Sequence, residues 1–184
     1  MIALFSTSSQ KKEQTYGNHH PDDLIKIFND CFLIKYQTQL AYGEDEPVYV
    51  PKSTTQTCHT IFFAHGFFSS ALHECAHWLV AGARRRQLLD YGYWYVPDGR
   101  NAEQQILFQQ VEVKPQALEW ILSEATGYRF QLSFDNLNGP IEAYDVFREA
   151  VSLQKLYYES QGLPPRAHLF HQALLRYYQR LKMS

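Results

Sequence analysis

The sequence predicts an α+β fold with a small sheet, and three observations carry the prediction. Long segments place apolar residues at helical spacing between recognisable starters and stoppers. Short aromatic or β-branched runs sit between turn residues and read as strands. No internal repeat or low-complexity tract points to a solenoid or a fibrous array.

Residues 1–20 are polar and aperiodic, as in Ser6-Thr7-Ser8-Ser9-Gln10-Lys11-Lys12, and are expected to be a flexible lead-in. Pro21-Asp22-Asp23 opens the first helix: proline suits its first turn and the acids suit its positive end, with Leu24, Ile27 and Phe28 repeating on one face to about Phe32. Gly43 to Pro47 forms a turn before a short strand, Val48-Tyr49-Val50, and Thr60 to Ala64 is a second, more buried strand. Ser69 and Ser70 can cap a helix running to about Arg86, whose apolar face is Leu72, Ala76, Leu79, Val80 and Ala83. Arg84-Arg85-Arg86 falls where cations favour the helix's negative end, a better account of the run than a nucleic-acid patch.

Tyr91 to Tyr95 reads as an aromatic strand ending in the turn Pro97-Asp98-Gly99. A long helix then spans about 102–125, interrupted or kinked at Pro115 and ended by Gly127. Phe130 to Phe134 is a further strand candidate, and residues 135–140 are turn-rich. Helices at about 141–160 and 167–181 close the chain, separated by Gly162-Leu163-Pro164-Pro165. Residues 21–184 are thus expected to form a single domain.

Composition excludes several function classes. A formal net charge of -2 with 20% charged residues gives no global attraction to nucleic acid or to an anionic membrane. Cys31, Cys58 and Cys75 are too few and too unevenly spaced for a disulfide framework or a structural zinc site, so a reducing cytoplasm is expected. Ile2-Ala3-Leu4-Phe5 is far too short for a signal-peptide core, and no apolar stretch is long enough for a membrane span.

The chemistry is concentrated in His73-Glu74-Cys75-Ala76-His77. Four residues apart on a helix, His73 and His77 share one face and can offer two imidazole nitrogens to one divalent ion. A catalytic site usually adds a third protein ligand and keeps positions open. Glu112 and Glu119 are the candidates: they lie on similar faces but about 10 Å apart along the axis, too far for both to bind one ion readily. The segment resembles the second metal-binding helix of Glu-type zincin metalloproteases, where a ligand Glu is followed three and four positions on by a small and a polar residue. Glu112, Pro115 and Gln116 match that pattern better than Glu119 does, with Gln116 a supporting group behind the ligand. In a metalloprotease Glu74 would be the general base acting on metal-bound water. Two histidines and a carboxylate are equally the facial triad of non-haem Fe(II) oxygenases, in which Glu74 need not be a base.

Six segments together resemble the elongation factor P hydroxylase family: His65-Gly66-Phe67-Phe68, His73 to Trp78, Asp90 to Tyr95, Pro97-Asp98-Gly99-Arg100, Val111 to Leu118, and Asp135-Asn136-Leu137. The likeness covers about residues 20–140. It implies hydroxylation of the β-lysyl-modified lysine of elongation factor P in bacteria, at a metalloprotease-like centre unlike that of the jelly-roll oxygenases. It carries over His73, His77 and Glu112 as metal ligands. The implied metal is Fe(II), with zinc and peptide hydrolysis as the alternative, and molecular oxygen is the implied co-substrate. No dinucleotide-binding glycine motif identifies a reductant.

A β-lysyl substrate tip is cationic, so a negative rim is expected, drawn from Glu119, Glu124, Asp98 and Asp135. Tyr91, Tyr93, Trp94 and Tyr95 are candidates to wall a channel or stack on ammonium groups, with about half of them core by strand alternation. His65 is expected to be a hydrogen-bonded turn histidine, and His168 and His171 surface residues of a late helix.

Overall fold

A computed structural model of the chain describes residues 19–92, 102–133 and 141–183. The expectations for residues 1–18, for Tyr93, Trp94, Tyr95 and Asp98, and for Phe134 and Asp135 lie outside the described residues.

Helix α1 (Pro21–Tyr36) begins as its proline and acids require and buries Leu24, Ile27, Phe28 and Phe32, running a turn beyond the expected end. Gln37, at φ 49°, stops it in the left-handed conformation. The chain then enters β1 (Thr38–Tyr42), a strand that sequence patterning missed. The strands β2 (Val48–Val50) and β3 (His59–Phe63) fall within a residue of expectation. The sheet order is β1-β3-β2, with β1 parallel and β2 antiparallel to the central β3. Asn29 joins α1 to this sheet: its side-chain oxygen accepts the Leu40 N–H at 2.8 Å.

Helix α2 (Phe68–Val80) carries the histidine pair. Neither serine caps it. Phe67 occupies the cap position, and the Ser70 hydroxyl instead accepts the Ala64 N–H at 3.0 Å, tying the helix start to the end of β3. The helix also ends earlier than expected, leaving Ala83 exposed and outside it. Its carbonyls are taken by two arginines: Arg86 Nη1 donates to Ala81 O at 3.1 Å, and Arg166 Nη2 donates to Leu79 O at 3.0 Å and Ala81 O at 2.6 Å. The arginine run therefore does serve the helix's negative end, but by folding back from a short 3-10 turn (Arg85–Gln87). Another 3-10 turn (Leu89–Gly92) replaces the start of the expected aromatic strand.

Helix α3 (Ala102–Thr126) continues through Pro115, ends at Gly127, and packs against α2, α4 (Ile141–Gln161) and α5 (Pro165–Met183). Residues 130–133 are not a strand. The Gln116 side chain takes both backbone groups of Ser133, accepting its N–H at 3.1 Å and donating to its carbonyl at 2.8 Å, which removes them from any ladder. The core gathers α1, the sheet, α2, α3 and α5, with Trp78, Phe28, Phe32, Phe63 and Phe170 among its fully buried side chains. Among the described residues no helix is long and apolar enough to cross a membrane.

Candidate metal centre

The packing of α2 on α3 brings together donors that are 35 residues or more apart in sequence. One turn of α2 stacks His73 and His77, whose Nε2 atoms lie 3.0 Å apart. Glu112, only 3% exposed, reaches across from α3 and sets Oε1 3.3 Å from His77 Nε2 and Oε2 3.6 Å from His73 Nε2. All three ligand atoms fall within 4.8 Å of one another, a spread that one ion bonded at about 2 Å to each can span. Two neutral nitrogens and one carboxylate form a borderline donor set that suits Fe(II) or zinc and leaves coordination positions to other groups.

Glu119 lies on the other side of the same ring, its Oε2 2.8 Å from His73 Nδ1. The two carboxylates that sequence spacing held about 10 Å apart thus both meet His73, one at each nitrogen. Gln116 stands behind Glu112, with Nε2 3.5 Å from Oε2, while clamping Ser133.

These charges govern protonation. Partial burial works against a charged His73, but Glu119, then Glu112 and Glu74, outweigh it and raise its pKa from 6.5 to about 10. Burial likewise opposes the Glu112 carboxylate, yet His77, His73 and Gln116 hold its pKa down at about 2. Burial raises the pKa of Glu74. A metal must therefore displace a proton from His73. Apparent metal affinity is expected to rise with pH by up to about tenfold per unit, with proton release measurable by calorimetry in buffers of different ionisation enthalpy. The metal-free fold responds with the opposite sign. The contribution of His73 is fully present below the unfolded value of 6.5 and is lost as pH rises through about 10.

A cleft of about 600 Å³ opens on the His73 side and is lined by Ser69, Ser70, Glu74, Glu119, Arg129 and Leu132, among others. A smaller cavity of about 300 Å³ adjoins His77, with Tyr91, Arg85 and Lys114 in its wall. Gln116 fixes one wall of the larger cleft through Ser133. Gln116→Ala should strip two hydrogen bonds there and cost about 1–3 kcal/mol, read as a lowered urea midpoint with unchanged slope.

The other sequence candidates divide. Tyr91 is buried and stacked on Tyr49 at 4.4 Å, with its ring also parallel to His77, and it forms part of the wall of the smaller cavity beside that histidine. Glu124 does not belong to the rim: its Oε2 pairs with Lys155 Nζ at 3.2 Å, in a separate groove between α3, α4 and α5. His65 is an exposed turn residue at φ 55°, with Nδ1 3.9 Å from Asp45. His168 is exposed, and His171 is partly buried in the α3–α5 groove. No local pattern marks Arg166 in the sequence, because its role depends on α5 returning to the end of α2.

The family model for elongation factor P hydroxylase matches residues 27–184. A protein of Haemophilus influenzae named elongation factor P lysine hydroxylase is 52% identical over 160 residues, which covers 87% of this chain and 90% of that protein. The matched region contains α2, α3 and every member of the His73, His77 and Glu112 cluster. The chain belongs to the elongation factor P hydroxylase family.

Proposed function

We propose that this chain is a cytoplasmic hydroxylase acting on the β-lysyl-modified lysine of elongation factor P, using non-haem Fe(II) on His73, His77 and Glu112 and molecular oxygen as co-substrate. The observation that carries this reading is the convergence of those three donors at the edge of a cleft, in a chain whose Haemophilus influenzae relative is named for lysine hydroxylation of elongation factor P. A ferrous ion bound there supplies oxygen activation, which side chains alone cannot provide.

Inserting one atom of dioxygen into a C–H bond leaves the other to be reduced to water, so two electrons and two protons come from an added reductant. The protein's own groups bind and orient the substrate. The cleft is large enough for a long unbranched side chain and presents the carboxyls of Glu74 and Glu119 to an arriving amine. Ser69 and Ser70 add polar wall, and Leu132 gives the aliphatic stem an apolar contact. Glu74 lines the cleft, where its carboxyl can accept a hydrogen bond from a substrate ammonium.

The test is to load metal-free protein with Fe(II) without air, add β-lysylated elongation factor P and an excess of a chemical reductant, admit oxygen, and follow intact mass. Gain of one oxygen atom on the modified factor alone is expected. The rival reading, a zinc peptidase with Glu74 as general base, requires zinc-dependent cleavage and no gain of oxygen. Glu74→Gln would then abolish turnover while metal is retained.

A further inference from the structure

We infer that Glu119 is a positioning residue of the centre: its carboxylate accepts the Nδ1–H of His73, fixing the tautomer that turns Nε2 toward the ion. The inference rests on the metal-centre reading and assigns Glu119 a role apart from ligation. Its Oε2 is 2.8 Å from Nδ1, a short charge-assisted contact, whereas His77 and Glu112 lie on the Nε2 side of the ring. An ionised carboxylate can only accept, so the ring proton is placed on Nδ1 and the Nε2 lone pair is left for the metal. Glu119 is 6% exposed and lies within α3, so its aim is set by the helix backbone and packing.

Among the described residues no carboxylate meets the Nδ1 of His77; a parallel aromatic ring, Tyr91, lies beside it instead. The two histidines are thus held by different means, one by a hydrogen bond and one by packing. Loss of Glu119 should free the His73 ring to rotate or change tautomer, weakening metal binding without removing a ligand.

Two measurements test this on the full chain. In zinc-loaded, nitrogen-15-labelled wild type, NMR should place a slowly exchanging proton on His73 Nδ1 and the metal on Nε2. Metal on Nδ1, or Glu119 bound to the ion, would overturn the inference without any variant. Metal affinity by chelator competition should fall about 10–100-fold in Glu119→Ala and recover most of that in Glu119→Gln, whose amide oxygen can still accept the proton. Equal affinity in Glu119→Ala and wild type, or no recovery in Glu119→Gln, would contradict it. Failure of wild type to bind zinc or Fe(II) at all would instead defeat the metal-centre reading.

Discussion

His77→Ala is expected to abolish hydroxylation of modified elongation factor P and to weaken metal binding more than about a hundredfold, since even an outer partner of a ligand is worth about 10–100-fold. The substitution removes a nitrogen that lies 3.0 Å from His73 Nε2 and 3.3 Å from Glu112 Oε1, at the meeting point of the three donors. It also leaves the buried Glu112 carboxylate without the imidazole that contributes most to holding its pKa down. The pKa of Glu112 should therefore rise from about 2 in the metal-free variant, measurable by NMR titration. Glu124→Ala is the matched control: it removes a carboxylate from α3 that pairs with Lys155 in another groove, so metal affinity should stay at the wild-type value. A His77→Ala protein that still bound metal tightly would show that the centre lies elsewhere.

Trp78→Ala should cost about 3–5 kcal/mol of stability, the usual range for a fully buried aromatic truncated to alanine. Trp78 is 0% exposed and touches Phe28 at 5.3 Å and Phe32 at 4.8 Å between ring centroids. The Arg166 guanidinium covers its ring at 4.5 Å while donating to the last carbonyls of α2. Truncation thus opens a cavity among the α1 aromatics behind the ligand helix and withdraws the platform of the arginine that caps that helix. Denaturant unfolding should show the loss directly, and metal affinity should fall with it because an ill-held α2 no longer fixes the imidazole pair.

The legibility of the site follows from how local each relationship is. The pairing of His73 with His77 is a property of one helix turn, so spacing alone reveals it. The neighbours Pro115 and Gln116 single out Glu112 over Glu119 in the sequence, and the fold sets the Glu112 carboxylate within 3.6 Å of both Nε2 atoms. The contact of Glu119 with Nδ1 depends on the crossing of α2 over α3, which no spacing encodes. Competition between distant groups explains the errors in secondary structure. Apolar periodicity runs past Val80, but Arg166 and Arg86 terminate the helix there. Phe130 to Ser133 has strand composition, yet a side chain seventeen residues earlier occupies the backbone of Ser133. Thr38–Tyr42 contains Gln39 and Ala41, poor strand signals, and becomes a strand by pairing in parallel with the strongly apolar β3.

Isotopically heavy dioxygen, supplied with a chemical reductant to Fe(II)-loaded protein and β-lysylated elongation factor P in ordinary water, tests the central claim most directly. A heavy oxygen atom in the modified lysine, absent when the label is placed in the water instead, is the predicted result. Label entering only from water, or cleavage of the factor without oxygen gain, would contradict the assignment and point to hydrolytic chemistry at the same three residues.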